Sequence, residues 1–296
     1  MSTAERPSEG RPAGAASVPW WRRPWSLRLA SVVCVLGAWE LYGRTIPAIF
    51  ISRPSAVLAA AAELLIGPDF WGQLRATVLA LLIGYSIAVV LGTALGFLMG
   101  RFRTAAFVLD PYVNMVYATP YVALIPLLII IFGIDLQLRL SIILLSTIFP
   151  ILINTANGVR GVDPELVETA IAFNATERQT LRTVIIPATL PFVLSGMQIA
   201  LGRAIIAVIV AEMTVGVGGI GGLIVGFGTS FQTAHMLVPI LATSALSVGL
   251  VNLLRVMERE LMPYRFLERR GSSLLARLFK LPLAARARPL RSSRNV

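Results

Sequence analysis

The stretches 77–100, 111–134 and 140–159 each run for twenty residues or more without a single charge. A fourth, 183–211, is interrupted only by Arg203, and a fifth covers about 236–254 and ends at Arg255. About 20 apolar residues suffice for a helix to cross the hydrocarbon core of a bilayer. In lipid every backbone polar group must be satisfied internally, so such runs fold as packed helices. A sixth, weaker candidate lies at roughly 27–47, where only 29–39 are free of charge before Glu40. It reads either as a retained helix or as the apolar part of a cleaved leader behind Arg22 and Arg23. More spans follow it and no small-x-small site does, which favours retention. The expectation is an all-α membrane protein of about six transmembrane helices. Pro120, Pro126, Pro150 and Pro191 fall inside the apolar runs and imply kinked members packed against neighbours.

Composition agrees, with 56% of residues hydrophobic and only 14% charged, where a soluble domain carries about a quarter. A net charge of +11 would suit a nucleic-acid binder, but the charges cluster between apolar runs, so no nucleic-acid partner is expected. The single cysteine, Cys34, allows no intramolecular disulfide, and the single histidine, His235, has neither a cysteine partner nor an acidic neighbour in sequence for a metal site.

Basic residues mark the cytoplasmic side of short loops. Arg6, Arg11, Arg22, Arg23 and Arg28 precede or open the first span; Arg101 and Arg103 fall in the second connection, and Arg160, Arg178 and Arg182 in the fourth. The region from Arg255 onward adds ten more arginines and Lys280. The opposite side holds only Arg44, Arg53, Arg75 and Arg139. Both termini are therefore expected in the cytoplasm. Residues 1–26 read as a disordered basic arm, 27–262 as the membrane domain, and 263–296 as a basic tail that fixes topology or lies on anionic lipid.

The fourth connection, about 163–187, is too charged to span and is built to be helical. Asp163, Pro164 and Glu165 make a helix start of N-cap, first-turn proline and acid at the positive end. Asn174 tolerates the left-handed conformation that ends a helix, and a second short helix from about Thr176 to Val184 leads to Pro187. Two short helices joined by a turn along the cytoplasmic surface form an elbow with a docking shape.

These residues resemble the EAA motif, E-A-A-x3-G-x9-I-x-L-P, of the inner-membrane permeases of binding-protein-dependent ABC importers. Here the pattern reads Glu168, Thr169, Ala170, Asn174, Val184, Ile186 and Pro187 with every interval preserved. Thr169 stands in place of the first alanine and Asn174 in place of the glycine. The stretches from Trp39, Leu109 and Gly196 are similar to the nitrate, sulfonate and taurine branch of these permeases. The resemblance implies a homodimer forming the pathway, an elbow on each copy seated in one of two ATP-hydrolysing subunits, and a substrate-binding protein delivering cargo from outside. It places the chain in a bacterial inner membrane. The elbow residues would transmit force rather than catalyse.

ATP must then bind elsewhere. A phosphate-cradling P-loop needs lysine after a glycine-rich turn, and the only lysine, Lys280, follows Phe279. No cofactor is expected on this chain, with ATP and magnesium on the partner, and no catalytic or metal set is present. GVGGIG at 216–221 matches a dinucleotide fingerprint in letters only, since that fingerprint needs a preceding strand; a flexible outer turn or re-entrant segment fits better.

Arg203 and Glu212 lie in one span, and ionisable groups there are functional candidates by default. Nine residues place them on opposite helix faces about 13 Å apart, so they cannot pair. Glu212 is expected at the outer interface. Arg203 either attracts an anionic cargo or bonds a neighbouring helix, and Asn114, Tyr117, Tyr121 and Gln198 are further candidates for the pathway lining. Two other classes, a membrane-embedded enzyme and an ATP-independent secondary transporter, leave the EAA spacing without a purpose.

Overall fold

The computed structural model describes residues 24–216 and 218–261. The basic tail expected over 263–296 and residues 1–23 of the expected arm lie outside the described residues; Pro24–Ser26 already belong to the first helix. Among the described residues every regular element is helical: α1 (Pro24–Thr45), α2 (Pro54–Ile66), α3 (Pro68–Arg101), α4 (Arg103–Ala118), α5 (Ile125–Phe132), α6 (Leu136–Arg160), α7 (Pro164–Ala172), α8 (Glu177–Thr180), α9 (Ile186–Val215), α10 (Gly219–Thr229) and α11 (Thr233–Leu261).

Among the described residues, four helical stretches are long and apolar enough to cross a membrane: α3, α6, the continuous Glu177–Val215, and α11. A fifth forms only if the bent pair Arg103–Ala118 and Tyr121–Phe132 counts as one span. Its two parts meet at 86°, so the run 111–134 is a broken element rather than one kinked helix. The cause is Pro120. A residue before proline is pushed out of the α region, and Thr119 accordingly takes φ −74 and ψ 127, ending α4 at Ala118. Of the expected six spans, α1 is the one not among these helices, its uncharged stretch being only 29–39. Glu40 fastens it to the start of α2 by accepting from the Ser55 N–H and hydroxyl.

The core is α6 packed between α3 and α9. Gly84, Ala88, Gly92, Gly96 and Gly100 recur every four residues on α3 and so share one face. That face meets α6 with almost no separation: a Cβ on Gly92 would lie 2.9 Å from the Ile148 carbonyl oxygen. Helices in lipid gain little from burying apolar side chains against each other, so close backbone approach at small residues supplies the packing. Pro150 and Pro191 sit inside α6 and α9. Around Pro150 the Ser146 and Thr147 hydroxyls donate to the Ile143 carbonyl, keeping those side chains satisfied within the helix. A second cluster, built from α2, α3, α10 and α11, lies towards the opposite end of the bundle from α7.

Candidate functional site

Three constellations gather the polar and charged residues that the apolar body has no other use for.

The first is the segment 163–187 between α6 and α9. Asp163 accepts from the Glu165 N–H at 3.0 Å and so caps α7. At the other end the Ala175 N–H donates to the Ala170 carbonyl and the Asn174 N–H to the Ile171 carbonyl, while Asn174 sits at φ 55. These two bonds define a Schellman cap, in which the left-handed residue is usually glycine and next most readily asparagine. Thr176 and Gln179 then cap α8 reciprocally. Beyond α8 the chain does not stop at Pro187. Leu181–Ile185 form one wide π turn, the Ile186 N–H reaching back five residues to the Leu181 carbonyl, and α9 continues from there. Pro187 has no N–H and its ring would strike the carbonyl four residues back; widening the turn just before it relieves that clash, and such π turns recur at functional sites. The second short helix expected from about Thr176 to Val184 is thus continuous with α9 rather than separate from it. Glu168, Thr169, Ile186 and Pro187 are exposed, and Ala170 and Val184 half-buried. Leu166, Ile171 and Phe173 are exposed as well, Phe173 at 83%.

The second constellation is on α4 and α9. The Arg203 guanidinium donates to the Tyr117 hydroxyl at 2.9 Å and lies over its ring at 5.1 Å from the centroid. Tyr117 in turn packs on Phe149 of α6. Arg203 is exposed, and no carboxylate lies within ion-pair distance of it among the described residues. Tyr121, on the 3-10 turn Tyr121–Leu124 after the break, is within electrostatic reach of the same charge. Asn114 shares the Tyr117 face of α4 and is exposed. Gln198 does not join this group: its amide donates to Glu258 and ties α9 to α11.

The third constellation corrects the reading of Glu212. It does not open onto an interface but is fully buried within the protein, at 0% exposure. Its carboxylate accepts from the Gly221 N–H at 3.0 Å and from the Thr77 hydroxyl at 2.9 Å, with Arg139 at 3.5 Å. Thr77 also accepts from the Ile220 N–H, and Gln73 from the Gly219 N–H. The apolar run ended at 211 by composition, but α9 continues to Val215 and α10 folds back over it, covering the carboxylate. Gly216 ends α9 in the left-handed region, and Gly218 and Gly219 at φ 74 and 71 make the reversal. The first amides of α10, the groups that would cradle a phosphate, are therefore spent on Glu212, Thr77 and Gln73.

His235 likewise has a partner that sequence distance hid. Glu63 of α2 reaches its Nε2 at 3.2 Å, and its ring stacks on Phe227 of α10. Sequence reasoning also missed the ion pair of Arg160 with Asp110 at 3.6 Å. In the sequence Arg160 is one of the arginines of the fourth connection and Asp110 the charge just before 111–134, and nothing in their spacing pairs them.

Residues 88–262 match the family described as binding-protein-dependent transport system inner membrane component. SsuC of Bacillus subtilis strain 168, named for aliphatic sulfonates transport, is 29% identical over 246 residues, 82% of this chain and 89% of the relative. The taurine transport system permease protein TauC of Escherichia coli K12 is 27% identical over 255 residues, 82% of this chain and 93% of the relative. A chain of the crystal structure of an amino acid ABC transporter with histidines superposes with a TM-score of 0.52 at 19% identity, over 67% of this chain and 97% of that one. That likeness is one of fold.

Proposed function

The chain belongs to the binding-protein-dependent transport system inner membrane component family, and from that premise we propose that it forms the membrane pathway of an ATP-driven importer for a small anionic solute. It is a multi-pass permease of the sulfonate, taurine and nitrate type rather than an enzyme. Two copies enclose the pathway, two separate subunits hydrolyse ATP with magnesium, and an extracytoplasmic binding protein delivers the cargo. Both termini face the cytoplasm, as the arginine distribution favours. Residues 27–262 form the permease domain, and 163–187 the coupling elbow.

The observation that carries this reading is α7. It is a short, doubly capped helix that exposes Leu166, Ile171 and Phe173 among Glu165, Glu168 and Arg178. Exposed apolar side chains rimmed by charge mark a protein contact. In the proposed role Glu168, Thr169, Ala170 and Asn174 shape the surface presented to the ATPase. Val184, Ile186 and Pro187 join that surface to α9 through the π turn, so a push on α7 reaches a spanning helix without a flexible joint. Gentle extraction of the tagged chain should bring an ATPase subunit with it, and Glu168→Arg should lose that subunit while the permease itself stays folded. A native chain that purifies with no ATPase would sink the reading in favour of an ATP-independent transporter.

For the cargo, the names of the relatives and Arg203 agree. An arginine exposed in the middle of a span and without a carboxylate partner among the described residues is costly against lipid, but is at home facing water and a passing anion. A sulfonate, taurine, nitrate or similar solute presents the oxygens that a guanidinium binds. Tyr117 orients it, and Tyr121 and Asn114 extend the polar lining. Arg203→Gln should lower uptake at least about tenfold, the loss of one charged hydrogen bond, with ATPase co-purification unchanged; unaltered uptake would remove Arg203 from the pathway.

A further inference from the structure

Asp110, Asn114 and Tyr117 stand at i, i+4 and i+7 on α4, hence on one face of that helix. The two ends of this stripe are held by different helices. At one end the Tyr117 hydroxyl accepts from Arg203 of α9. At the other, Asp110 lies 3.6 Å from the guanidinium of Arg160, the last residue of α6. Arg160 also donates to the Met99 carbonyl of α3 at 3.4 Å, and only three positions separate it from Asp163, the cap of α7. Along the chain, a displacement of α7 therefore enters α6 at Arg160.

We propose that Asp110 and Arg160 are positioning residues that pass movement of the 163–187 segment to α4, and along the Asp110–Tyr117 face to Arg203. The inference rests on the coupling role proposed above for 163–187. Three features favour a transmitting contact over a mere brace. The pair is 45% and 42% exposed, and ion pairs so open to water add little to stability. It joins the end of a long, tightly packed helix to a short one that packs far less closely and has no fully buried residue. And α4 stops at the Pro120 break, so it can tilt without dragging α5 with it.

The chain has one cysteine, which makes a reporter simple to install. Cys34→Ser with Met115→Cys, an exposed position of α4, would be reconstituted in nanodiscs with the co-purifying ATPase. Labelling by a water-soluble maleimide is timed before and after vanadate trapping of magnesium-ATP. In the native background the rate should change at least about fivefold, the lower end of ordinary coupling between sites. Asp110→Asn and Arg160→Gln should each reduce that change to less than about twofold, with the ATPase still bound and still turning over. The exchange Asp110→Arg with Arg160→Asp should restore it. A brace would show no such pattern. The proposal is overturned if both single variants keep the native change, if the exchange fails to restore it, or if position 115 labels at one rate in both states of the native complex. Should one single variant be lost from the membrane, the other and the exchange decide. Absence of the ATPase from the native preparation would instead refute the coupling reading, and this inference with it.

Discussion

Glu212→Ala should be among the most damaging single changes in the described part of the chain, destabilising the detergent-solubilised protein by about 3 kcal/mol. The carboxylate is fully buried and receives the Gly221 N–H and the Thr77 hydroxyl, with Arg139 beside it. Truncation leaves an α10 amide with no acceptor and strips Arg139 of its counter-charge, and each such orphan costs about 1–3 kcal/mol. Glu212→Gln keeps an acceptor for Gly221 and loses only the charge, so it should cost roughly half as much. Gly219→Ala should approach the alanine variant from the other side: at φ 71 a side chain is strained, and its Cβ would overlap the Glu212 carboxylate. A thermal scan reads all three, with midpoints for Glu212→Ala lowered by roughly 6–12 °C. If Glu212→Ala melts with the native chain, the carboxylate does not hold α10, and the buried network is incidental.

The second large effect is expected at Gly96. A Cβ there would lie 2.5 Å from the Leu152 carbonyl oxygen and 2.7 Å from the Thr155 Cβ, so part of what it strikes is backbone, which has no rotamer to yield. Gly96→Ala should cost about 1–3 kcal/mol, and Gly96→Val more, because α3 and α6 must separate along their whole shared face. Gly72 on the same helix is the contrast. Nothing lies within 4 Å of its Cβ position, so Gly72→Ala should stabilise by about 0.5–1 kcal/mol through helix propensity alone. Yield and melting midpoint of the three variants test the pair together. Similar behaviour at positions 72 and 96 would mean that backbone proximity does not hold the bundle.

Local chemistry was legible wherever the signal sits within a few residues. Asp163, Pro164 and Asn174 announce the start and end of α7, because capping is settled by the four or five residues around it. The charge-free runs announce α3, α6, α9 and α11 because a bilayer-length apolar stretch has few other ways to satisfy its backbone. The 86° break inside 111–134 is legible as well: proline in an apolar run reads as a kink, but the restriction it puts on the preceding residue takes Thr119 out of the helix and ends α4.

Other features depend on which helices become neighbours. The every-fourth-residue pattern of small residues on α3 is plain in the sequence, but nothing there says that α6 lies against it. Glu212 looked interfacial because its own run ends at 211; its burial follows from α10 folding back onto Thr77 and Gln73, well over a hundred residues away in the chain. The pairs Arg160 with Asp110 and His235 with Glu63 are likewise invisible to spacing. By itself, then, the sequence determined an all-helical membrane chain with a capped, charged segment between two spans, since hydropathy and capping act over short distances. Only the tertiary structure decided which charges are buried, paired or left facing a pathway. That depends on helix contacts between residues far apart in the chain, and a charge inside a membrane domain is tolerable only when those contacts answer it.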